Sequence, residues 1–557
     1  VQYLPSKGEI YYHNFIEFNI KLSNENNKNN DYLRNLEKDS LEVSKIVDNP
    51  SYISSYNSNH LKASNNMDLL ILTTEELKSG FQTLSDYHNS NGVRSVIKTI
   101  SDIEGDSSED VKDFIKDSYN NLGISYVLIG SDVPNIPVHY VEAYNPALRQ
   151  NEMIPSDQWY SLLDDDMMPE VYIGRACVDD LTEVSNFVSK TISYASSSSV
   201  ENYDRCLMVG QKLMPLTYGG NYMDELINSC DTNGFSTVGI PETRYHMDKL
   251  YERYEIWEKN ELVDLINNNN YHLINHLGHG HFYHLMKLEE PFSRTNSGNY
   301  IESHDVSNLL KNNKPFFLYT QACYTGSFDN MDDKGNSYEE DCIGEYITFK
   351  TNNGAFASIM NSRYGLGALM QTLGPNQFFH REFWDSVFDD NILEIGKAHQ
   401  FSKIKNLDNW NFEGIPYSYW ETNLLGDPTV SFKVPSVKYP YQPDRPEFFG
   451  LNNTNFDITF TSKAVDPNNL DLLYLFDWDD GSDSGWIGTY ESGEEVSSEH
   501  SWENEGDYLV RVKTKNTEGF ESQWSEPAKV SVSKVKSRSF ENVFSNLRNF
   551  YLFNYFF

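Results

Sequence analysis

Short apolar runs alternate with amphipathic segments from residue 68 onward. The run DLLILTT at 68–74 has the length and polarity of a buried strand, and it leads into a segment of helical periodicity. The alternation continues with VRSVIKTI (extended), SSEDVKDFIKDSYNNLG (helical), SYVLIGS (extended), PEVYIGRA at 169–176 (extended) and a helix near 181–195. Strands separated by helices in this way predict an α/β unit with a parallel sheet.

A second series of the same kind starts at residue 205. Its predicted strands are RCLMVGQKL at 205–213, YHLINHLG at 271–278, KPFFLYTQA at 314–322 and GAFASIMNS at 354–362. Helical patterns lie between them, including YGGNYMDELINSCDTNG at 218–234, and the series closes with a turn in NLLGDPTVSF at 423–432. The two series therefore predict two α/β sheets.

The helical patterns stop after a Pro-rich linker, VPSVKYPYQPDRPEFFG. Residues 450–533 show only short alternating strands with turn signals, which predicts a β-sandwich. The expected fold class is α/β: two subdomains with parallel-rich sheets flanked by helices, followed by this sandwich. The predicted boundaries are 1–64 (N-terminal segment), 65–200 and 201–436 (subdomains), 437–534 (sandwich) and 535–557 (aromatic tail).

The charge of the chain narrows the choice of partners. Asp and Glu total 82 against 44 Lys and Arg, which gives a formal net charge of −38. Such a surface repels phosphate backbones, so we expect no nucleic acid partner.

No run of about 20 apolar residues occurs, so we expect no transmembrane segment. The first residue is Val1 rather than Met, which fits a chain whose signal peptide has been removed or left out.

Five cysteines are too few for a disulfide-built scaffold, and their odd number leaves at least one thiol unpaired. They are Cys177, Cys206, Cys230, Cys323 and Cys342. A single cysteine is more often a small buried hydrophobe than a reactive group, so a nucleophile has to be identified from its surroundings.

Two residues follow predicted strands in a way that indicates chemistry. His279 lies in NHLGHGH after the strand at 271–278, and Cys323 lies in TQACYTG after the strand at 314–322. In open α/β sheets, loops at the carboxyl ends of strands converge on ligands. Peptide cleavage by a thiol needs a nearby imidazole and donors for the developing oxyanion. The amides of Gly280 and Cys323 can supply those donors, so the pattern predicts a cysteine peptidase.

A metal site is the competing interpretation of the same segment. Four histidines, His276, His279, His281 and His284, fall within nine residues, and His-x-x-His-x-His can present imidazoles to zinc. The sequence offers no convincing cluster of partner ligands, which favours the peptidase hypothesis.

The ordered motifs resemble the gingipain-like cysteine peptidases, which share a clan with the caspases. The resemblance covers roughly residues 65–435, and its pieces are DLLILTTEEL, YVLIGSDVPNIP, PSDQWYSLLDDD, PEVYIGR, LGHGH, TQACYTGSFD, CIGEYI, GAFASIMNSRYG and NLLGDPT. It implies a caspase-like catalytic unit and an endopeptidase, secreted or at the cell surface, that acts on protein or peptide substrates. No cofactor is expected for catalysis.

The resemblance also implies roles for four residues. His279 would be the general base and acid, and Cys323 the nucleophile that forms a thioester acyl-enzyme. Gly280 and Cys323 would form the oxyanion hole. Glu170, in PEVYIGR, matches the acidic residue that orients the histidine.

Specificity residues are implied less directly. Tyr364 falls where the family places an aromatic residue over the S1 pocket, although a packed core tyrosine fits its pattern equally. Asp179 or Asp180 lies near the acidic residue at the base of S1 in members that cleave after Arg or Lys. Tyr324 and Thr325 depart from the caspase signature after Gln-Ala-Cys, so specificity for Asp is not expected.

Calcium is the one ion that the resemblance raises, as a structural ion. Asp164, Asp165 and Asp166 form one acidic run, and 329–341 holds another. Neither reproduces an EF-hand loop, and a solvated acidic loop is the alternative for each.

The flanking regions resemble accessory parts of extracellular proteins. The segment YLFDWDDGSDSGW and the later GDY at 506–508 resemble a polycystic-kidney-disease-type (PKD) Ig-like domain, which would serve as a spacer or binding module. Residues before 65 resemble the end of a prodomain, and the C-terminal region is a candidate for surface association or self-assembly. The alternative function is an extracellular structural or adhesive protein that retains the peptidase fold.

Overall fold

A computed structural model describes residues 66–164, 166–253, 256–285, 301–332 and 334–534, together with 2–4, 9–11, 36, 39 and 44. The chain divides into two compact units, Val1–Asn65 and Asn66–Phe557. In the first unit, β1 (Gln2–Leu4) pairs antiparallel with β2 (Glu9–Tyr11). Apart from the single residues 36, 39 and 44, the rest of the predicted prodomain segment lies outside the described residues, as does the predicted tail at 535–557.

The second unit contains the strands and helices that build the predicted catalytic region. Its strands up to residue 425 are β3 (Leu69–Thr73), β4 (Ser95–Thr99), β5 (Tyr126–Gly130), β6 (Tyr140–Asn145), β7 (Gln150–Pro155), β8 (Tyr172–Arg175), β9 (Arg205–Gly210), β10 (Lys212–Met214), β11 (Thr217–Tyr218), β12 (Cys230–Thr232), β13 (Phe235–Thr237), β14 (His246–Tyr251), β15 (Leu273–Leu277), β16 (His284–Leu285), β17 (Ile301–Glu302), β18 (Phe316–Thr320), β19 (Ala355–Asn361) and β20 (Thr422–Leu425). The α-helices are α1 (Lys78–Ser90), α2 (Ser108–Leu122), α3 (Gln158–Ser161), α4 (Leu181–Ser196), α5 (Gly219–Asp224), α6 (Lys259–Asn269), α7 (Ser303–Leu309), α8 (Ile343–Glu345), α9 (Pro375–Phe388), α10 (Ile395–Lys405) and α11 (Ile415–Glu421). Short 3₁₀ turns at Ile100–Asp102, Val200–Asn202 and Asn406–Asn409 and a π-turn at Tyr346–Lys350 complete the list.

One ten-stranded sheet, in the order β14-β9-β15-β18-β19-β20-β8-β5-β3-β4, runs through this unit. The predicted α/β class is therefore confirmed, but the two series share one sheet and do not form two separate sheets. The segment at 423–432, expected to be a closing turn, begins with β20, which pairs antiparallel with β19 and parallel with β8. β20 joins the two halves. The five strands from β14 to β19 run in one direction, and the five from β20 to β4 run in the opposite direction.

Side chains of successive strand residues enter cores on opposite faces of the sheet. Leu273 packs with Phe317 and α9 on one face, whereas Ile274 packs with Leu318 and α6 on the other. The same alternation continues in β3, where Leu69 and Leu70 belong to different clusters. Strands buried on both faces read as continuous apolar runs, and this is why the sequence predicted them well.

One predicted helix was too long. The helical pattern at 218–234 gives only the short α5, and the following residues form the hairpin β12–β13. Asn233 and Gly234 connect the two strands with φ of 55° and 84°. An Asn-Gly pair accepts this left-handed backbone at low cost, so the turn chemistry outweighs helical periodicity here.

The C-terminal residues form the predicted β-sandwich. One sheet contains β21 (Glu447–Gly450), β22 (Ile458–Lys463) and β25 (Glu495–His500); the other contains β23 (Leu472–Asp477), β24 (Ile487–Tyr490), β26 (Gly506–Asn516) and β27 (Ala528–Val532). Phe460, Trp478 and Trp502 lie in a core of their own between the sheets. Within the described part of the chain, no helix is both long and apolar enough to cross a bilayer.

Candidate active site

Two neighbouring parallel strands carry the predicted catalytic pair. β15 pairs with β18 from Leu273 opposite Phe317 to His276 opposite Thr320. His279 follows β15 by two residues and Cys323 follows β18 by three. Because parallel strands end at the same edge of a sheet, both loops leave the sheet side by side.

Direct packing between the two loops is shown at Gly280. A Cβ atom at this position would lie 2.7 Å from Ala322 Cβ, 2.8 Å from Thr325 Cγ2 and 2.9 Å from the carbonyl oxygen of Cys323. These distances are shorter than any ordinary contact, so only glycine lets the His279 loop rest on the Cys323 loop. The strand ends also connect through His276, whose Nδ1 lies 2.8 Å from Thr320 Oγ1.

The loop after β9 positions the His279 ring and backbone. Nε2 of His279 lies 2.8 Å from the carbonyl oxygen of Leu213, and the backbone amide of His279 donates to Gln211 Oε1 at 2.8 Å. A carbonyl oxygen only accepts, so Nε2 carries the proton and the lone pair of the neutral ring is on Nδ1. This arrangement leaves Nδ1 as the nitrogen that can take up a proton.

Cys323 is half-buried, and its Sγ lies 3.8 Å from the carbonyl oxygen of Gly365. Burial raises the pKa of the thiol to about 11, and the negative charge of Glu421 acts in the same direction. The resting thiol is therefore protonated at neutral pH, so a proton acceptor is required before it can attack. The five cysteines, all among the described residues, are free thiols, of which Cys177, Cys206 and Cys342 are buried and Cys230 is half-buried.

The residue after Cys323 holds a strained backbone. Tyr324 has a φ of 57°, a left-handed conformation that costs a non-glycine residue about 1–3 kcal/mol. Its amide donates to the carbonyl oxygen of Arg363 at 2.7 Å, and its ring packs edge-on to Tyr364 with centroids 4.9 Å apart. Neighbouring residues thus hold the turn that presents Cys323.

A buried ion pair holds Arg363, whose carbonyl oxygen accepts from the Tyr324 amide. Arg363 Nη2 lies 2.6 Å from Asp329 Oδ2, and neither side chain is more than 2% exposed. Tyr140, on β6, donates to the same carboxylate oxygen at 3.2 Å. The hairpin β6–β7 is thereby tied to the segment that follows Cys323.

The predicted orienting role requires Glu170 to lie beside His279, but the two residues adjoin strands that are far apart in the sheet. Glu170 precedes β8, which lies four strand positions from β15, a separation of about 19 Å across the sheet. Its Oε2 accepts from the amide of Leu163 at 2.6 Å, and its carboxylate groups with Asp164 and Asp166. Burial raises the pKa of Glu170 to about 7.

Asp179 and Asp180 are also placed differently from the predicted S1 residues. They follow β8, which runs opposite to β18, so the chain leaves the sheet there at the edge opposite to Cys323. Asp180 caps α4 by accepting from two amides of its first turn, and Asp179 faces Lys350 at 3.6 Å. Tyr364, in contrast, lies beside Tyr324, the residue that follows Cys323 in the chain.

The histidine segment does not assemble a metal site in the described residues. His276 contacts Thr320, the His279 ring contacts Leu213, and His281 is exposed between the rings of Tyr324 and Tyr338. None of these three joins a group of metal-ligand side chains there, and the His284 side chain is outside the described atoms. Asp165, one of the predicted calcium ligands, is outside them as well.

Comparison with known sequences identifies the family. The profile of peptidase family C25 matches residues 62–433. This chain belongs to peptidase family C25. The matched region holds the entire ten-stranded sheet and both loops of the predicted catalytic pair, and it agrees with the resemblance predicted for residues 65–435. The C25 chain is thus a member of a family of cysteine peptidases.

Sequence relatives of this C25 chain are distant. Lys-gingipain W83 of Porphyromonas gingivalis is 22% identical over 268 residues, which cover 45% of this chain and 12% of the relative. An uncharacterized protein of Archaeoglobus fulgidus is 24% identical over 290 residues, 47% of this chain and 66% of the relative. The aligned region spans less than two thirds of either relative.

Solved structures show the same fold. The Arg-specific cysteine proteinase gingipain R (RgpB) matches with a TM-score of 0.52 at 17% identity, covering 85% of this chain and 99% of the proteinase. The complex of the pro- and mature domains of Porphyromonas gingivalis RgpB matches with a TM-score of 0.50 at 16% identity. The match covers 82% of this chain and 99% of the matched chain. At these identities the likeness concerns the fold.

Sequence reasoning missed Gln211 and Leu213, the residues that hold His279. Gln211 directly follows β9, the neighbour of β15, so the rule that led to His279 and Cys323 also applied to it. Leu213 acts through its backbone carbonyl, which no side-chain pattern reveals.

Proposed function

We propose that this C25 member is an endopeptidase in which Cys323 is the nucleophile and His279 the general base and acid. The observation that carries the proposal is the contact of Gly280 with Ala322, Thr325 and the carbonyl of Cys323, which holds the two loops against each other. The Leu213 carbonyl supports it, because it fixes the tautomer in which His279 Nδ1 can accept a proton.

The first half of the reaction forms an acyl-enzyme. His279 Nδ1 takes the proton of the Cys323 thiol, and the sulfur attacks the carbonyl carbon of the scissile peptide. The amides of Gly280 and Cys323 stabilise the oxyanion of the tetrahedral intermediate. The C–N bond then breaks as His279 donates its proton to the leaving amine, and a thioester remains on Cys323.

The second half restores the enzyme. His279 removes a proton from water, and the resulting hydroxide adds to the thioester carbonyl. The C–S bond breaks, Cys323 regains its proton from His279, and the new carboxylic acid leaves. A thiol with a pKa of about 11 is a poor leaving group as a thiolate, so protonation by His279 is needed in this step as well.

Substrate contacts are proposed at the face formed by Tyr364 and Tyr324. Tyr324 follows Cys323 in the chain and is buried, and the half-buried Tyr364 ring packs edge-on against it. An aromatic surface of this kind suits an apolar stem of a substrate side chain. Protein or peptide substrates follow from the family. The relatives' names include Lys-gingipain and an Arg-specific proteinase, but neither Asp179 nor Asp180 stands at the Cys323 edge to supply a matching acidic group.

Secretion or surface display is proposed from the family resemblance and from the PKD-like sandwich, which would act as a spacer or binding module. For the predicted structural calcium, the carboxylates of Asp164, Asp166 and Glu170 fit a hard cation, because their oxygens lie within 4.8 Å of one another. The proposal places that ion before β8 and assigns Glu170 to it rather than to His279.

Labelling with a peptide probe that carries a thiol-reactive warhead tests the peptidase proposal. We expect one label per chain on Cys323, loss of labelling and of peptide cleavage in Cys323→Ala, and strong loss of both in His279→Ala. Cys230→Ala is the matched control, because Cys230 is also half-buried and lies outside the pair.

Two results would contradict the proposal. Cleavage that persists in Cys323→Ala would remove the assigned nucleophile. A folded wild-type chain that neither labels nor cleaves a broad peptide library would favour the structural or adhesive alternative.

A further inference from the structure

Four large apolar side chains are exposed on two loops beside the candidate active site. Leu216 and Met370 are each 68% exposed, Leu369 is 61% and Met214 is 40% exposed. Met214 and Leu216 lie in the hairpin β10–β11, and Leu369 and Met370 lie between β19 and α9. These four residues are called the apolar rim below. Exposed apolar groups of this size are typical of a surface that a ligand or partner covers.

Hydrogen bonds join the two loops of the rim. The amide of Met370 donates to Thr217 Oγ1 at 2.9 Å, and the amide of Ala368 donates to the Tyr222 hydroxyl at 2.8 Å. Thr217 and Tyr222 follow β9, whereas Ala368 follows β19, and β15 and β18 lie between these two strands. All four strands are parallel, so the segment after β19 crosses the sheet edge past the ends of β15 and β18 to reach the hairpin.

Each loop of the rim also contacts one member of the proposed catalytic pair. The carbonyl oxygen of Leu213 lies 2.8 Å from His279 Nε2, and Cys323 Sγ lies 3.8 Å from the carbonyl oxygen of Gly365. The exposed leucines follow these contacts by three and four residues, which is at most about 11 and 14 Å of extended chain. An extended peptide rises about 3.3 Å per residue, so about four substrate residues cover the same distance.

Two residues of the rim hold an unfavourable backbone conformation. The φ angle is 63° at Leu216 and 55° at Met370. Large side chains rarely adopt this left-handed region, whereas Asn and Gly tolerate it. Asn or Gly would make both turns with less strain, so the turns themselves do not account for the two apolar side chains. Strain of this kind indicates a functional position.

The rim lies in two stretches without charge. No Asp, Glu, Lys or Arg occurs at 213–223 or at 364–380, although these residues make up 23% of the chain. A basic substrate side chain taken out of water needs an acidic partner, and neither stretch supplies one. An apolar side chain needs none, because it gains from the removal of apolar surface from water.

We propose that the apolar rim is a specificity-determining subsite that takes a large apolar side chain (Leu, Met or Phe) within about four residues of the scissile bond. The inference rests on the proposed function, because it requires a peptide at Cys323. The rim is separate from the face of Tyr324 and Tyr364, since its hydrogen bonds lead to the segment after β9.

Profiling of the full chain with a peptide library tests the preference, and variants test its location. We expect cleaved peptides to be enriched in Leu, Met or Phe at one position within four residues of the scissile bond. Leu216→Asn and Met370→Asn should each lower kcat/KM about tenfold for the best such peptide, mainly through KM. The same peptide with Ala at that position should be cleaved by wild type and variants at rates equal within about twofold.

Both variants are expected to fold, because asparagine suits the left-handed backbone, and their unfolding temperatures should equal or exceed that of the wild type. A merely structural role would therefore not raise KM in them. Leu451→Asn is the matched control, because Leu451 is as exposed as Leu369 but lies in the sandwich between β21 and β22. Its kinetics should equal those of the wild type with both peptides.

The outcomes separate this proposal from the peptidase proposal. An active wild type whose profile shows only Arg or Lys, or no apolar preference, would overturn the subsite and leave the peptidase intact. Equal kcat/KM for the apolar peptide in wild type, Leu216→Asn and Met370→Asn would do the same. A folded wild type that neither labels at Cys323 nor cleaves any peptide would overturn the proposed function and the subsite with it.

Discussion

His279 Nε2 lies 2.8 Å from the carbonyl oxygen of Leu213 on β10, and the His279 amide donates to Oε1 of Gln211, the residue just before β10. A backbone carbonyl therefore accepts at the ring nitrogen Nε2 of His279. It fixes the ring tautomer without placing a negative charge beside the imidazole.

Replacement of Gln211 by Leu removes the acceptor of the His279 amide. Gln211 is buried, so the amide would be left without compensation, a cost of about 1–3 kcal/mol. We expect kcat/KM for a peptide substrate to fall by about tenfold or more, mainly through kcat, with little change in KM. Gln211→Glu keeps the acceptor and should retain most of the activity. A folded Gln211→Leu variant with wild-type kcat would contradict the positioning role.

Gly280→Ala should separate the two catalytic loops. The new Cβ would lie 2.7 Å from Ala322 Cβ and 2.9 Å from the Cys323 carbonyl oxygen, and the latter is a backbone atom that moves only with its loop. A misplacement of about 1 Å costs about 100-fold in rate, so we expect at least that loss in kcat/KM. Gly506→Ala, where the nearest atom would be 3.4 Å away, is the control. Equal activity in both variants would show that the loops do not need this contact.

The positions of His279 and Cys323 could be predicted because each follows a strand buried on both faces. Such a strand can be recognised in the sequence as a continuous apolar run. The position of Glu170 relative to β15 could not be predicted, since it depends on strand order. The insertion of β20 between β19 and β8, which separates Glu170 from β15, is a tertiary pairing with no local signal. The contact of Leu213 with His279 could not be predicted for another reason, because it is made by the backbone carbonyl and does not depend on the side chain.

The pH dependence of thiol alkylation distinguishes a neutral resting Cys323 from a preformed ion pair. With a thiol pKa of about 11, the thiolate fraction rises about tenfold per pH unit between pH 7 and 10. We expect the iodoacetamide rate at Cys323, followed by peptide mapping, to rise in the same proportion. At pH 7 it should be roughly 100-fold below that of an unperturbed cysteine. A rate that already levels off near pH 7 would show a thiolate–imidazolium pair instead.

The buried pair of Arg363 and Asp329 should be strongly coupled. Arg363→Met leaves the Asp329 carboxylate buried without its partner, which costs about 3–5 kcal/mol, so the unfolding temperature should fall by several degrees. Adding Asp329→Asn to that variant should restore part of the loss, because the stranded charge is removed. Lys529→Met breaks an exposed pair and should have little effect. Additive losses in the double variant would exclude the coupling.

His88 on α1 and Asp427 after β20 form a buried ion pair of 2.7 Å that links the first helix to the end of the sheet. Burial alone lowers the pKa of His88, but the Asp427 carboxylate outweighs it and raises that pKa above 6.5. Burial likewise raises the pKa of Asp427, yet His88 and Thr429 bring it below 3.8. The pair's contribution to the free energy of unfolding is therefore fully present between about pH 4 and 6.5.

Above this window the contribution fades as pH rises through the raised pKa of His88, and below it the contribution fades as pH falls through the lowered pKa of Asp427. The unfolding temperature of His88→Gln should thus lie furthest below that of the wild type at pH 5–6, and the gap should narrow above pH 8. Replacing His304, which is 64% exposed, by Gln should produce no such pH-dependent gap. A constant difference between His88→Gln and the wild type from pH 5 to 9 would show that the pair is not charged in the folded protein.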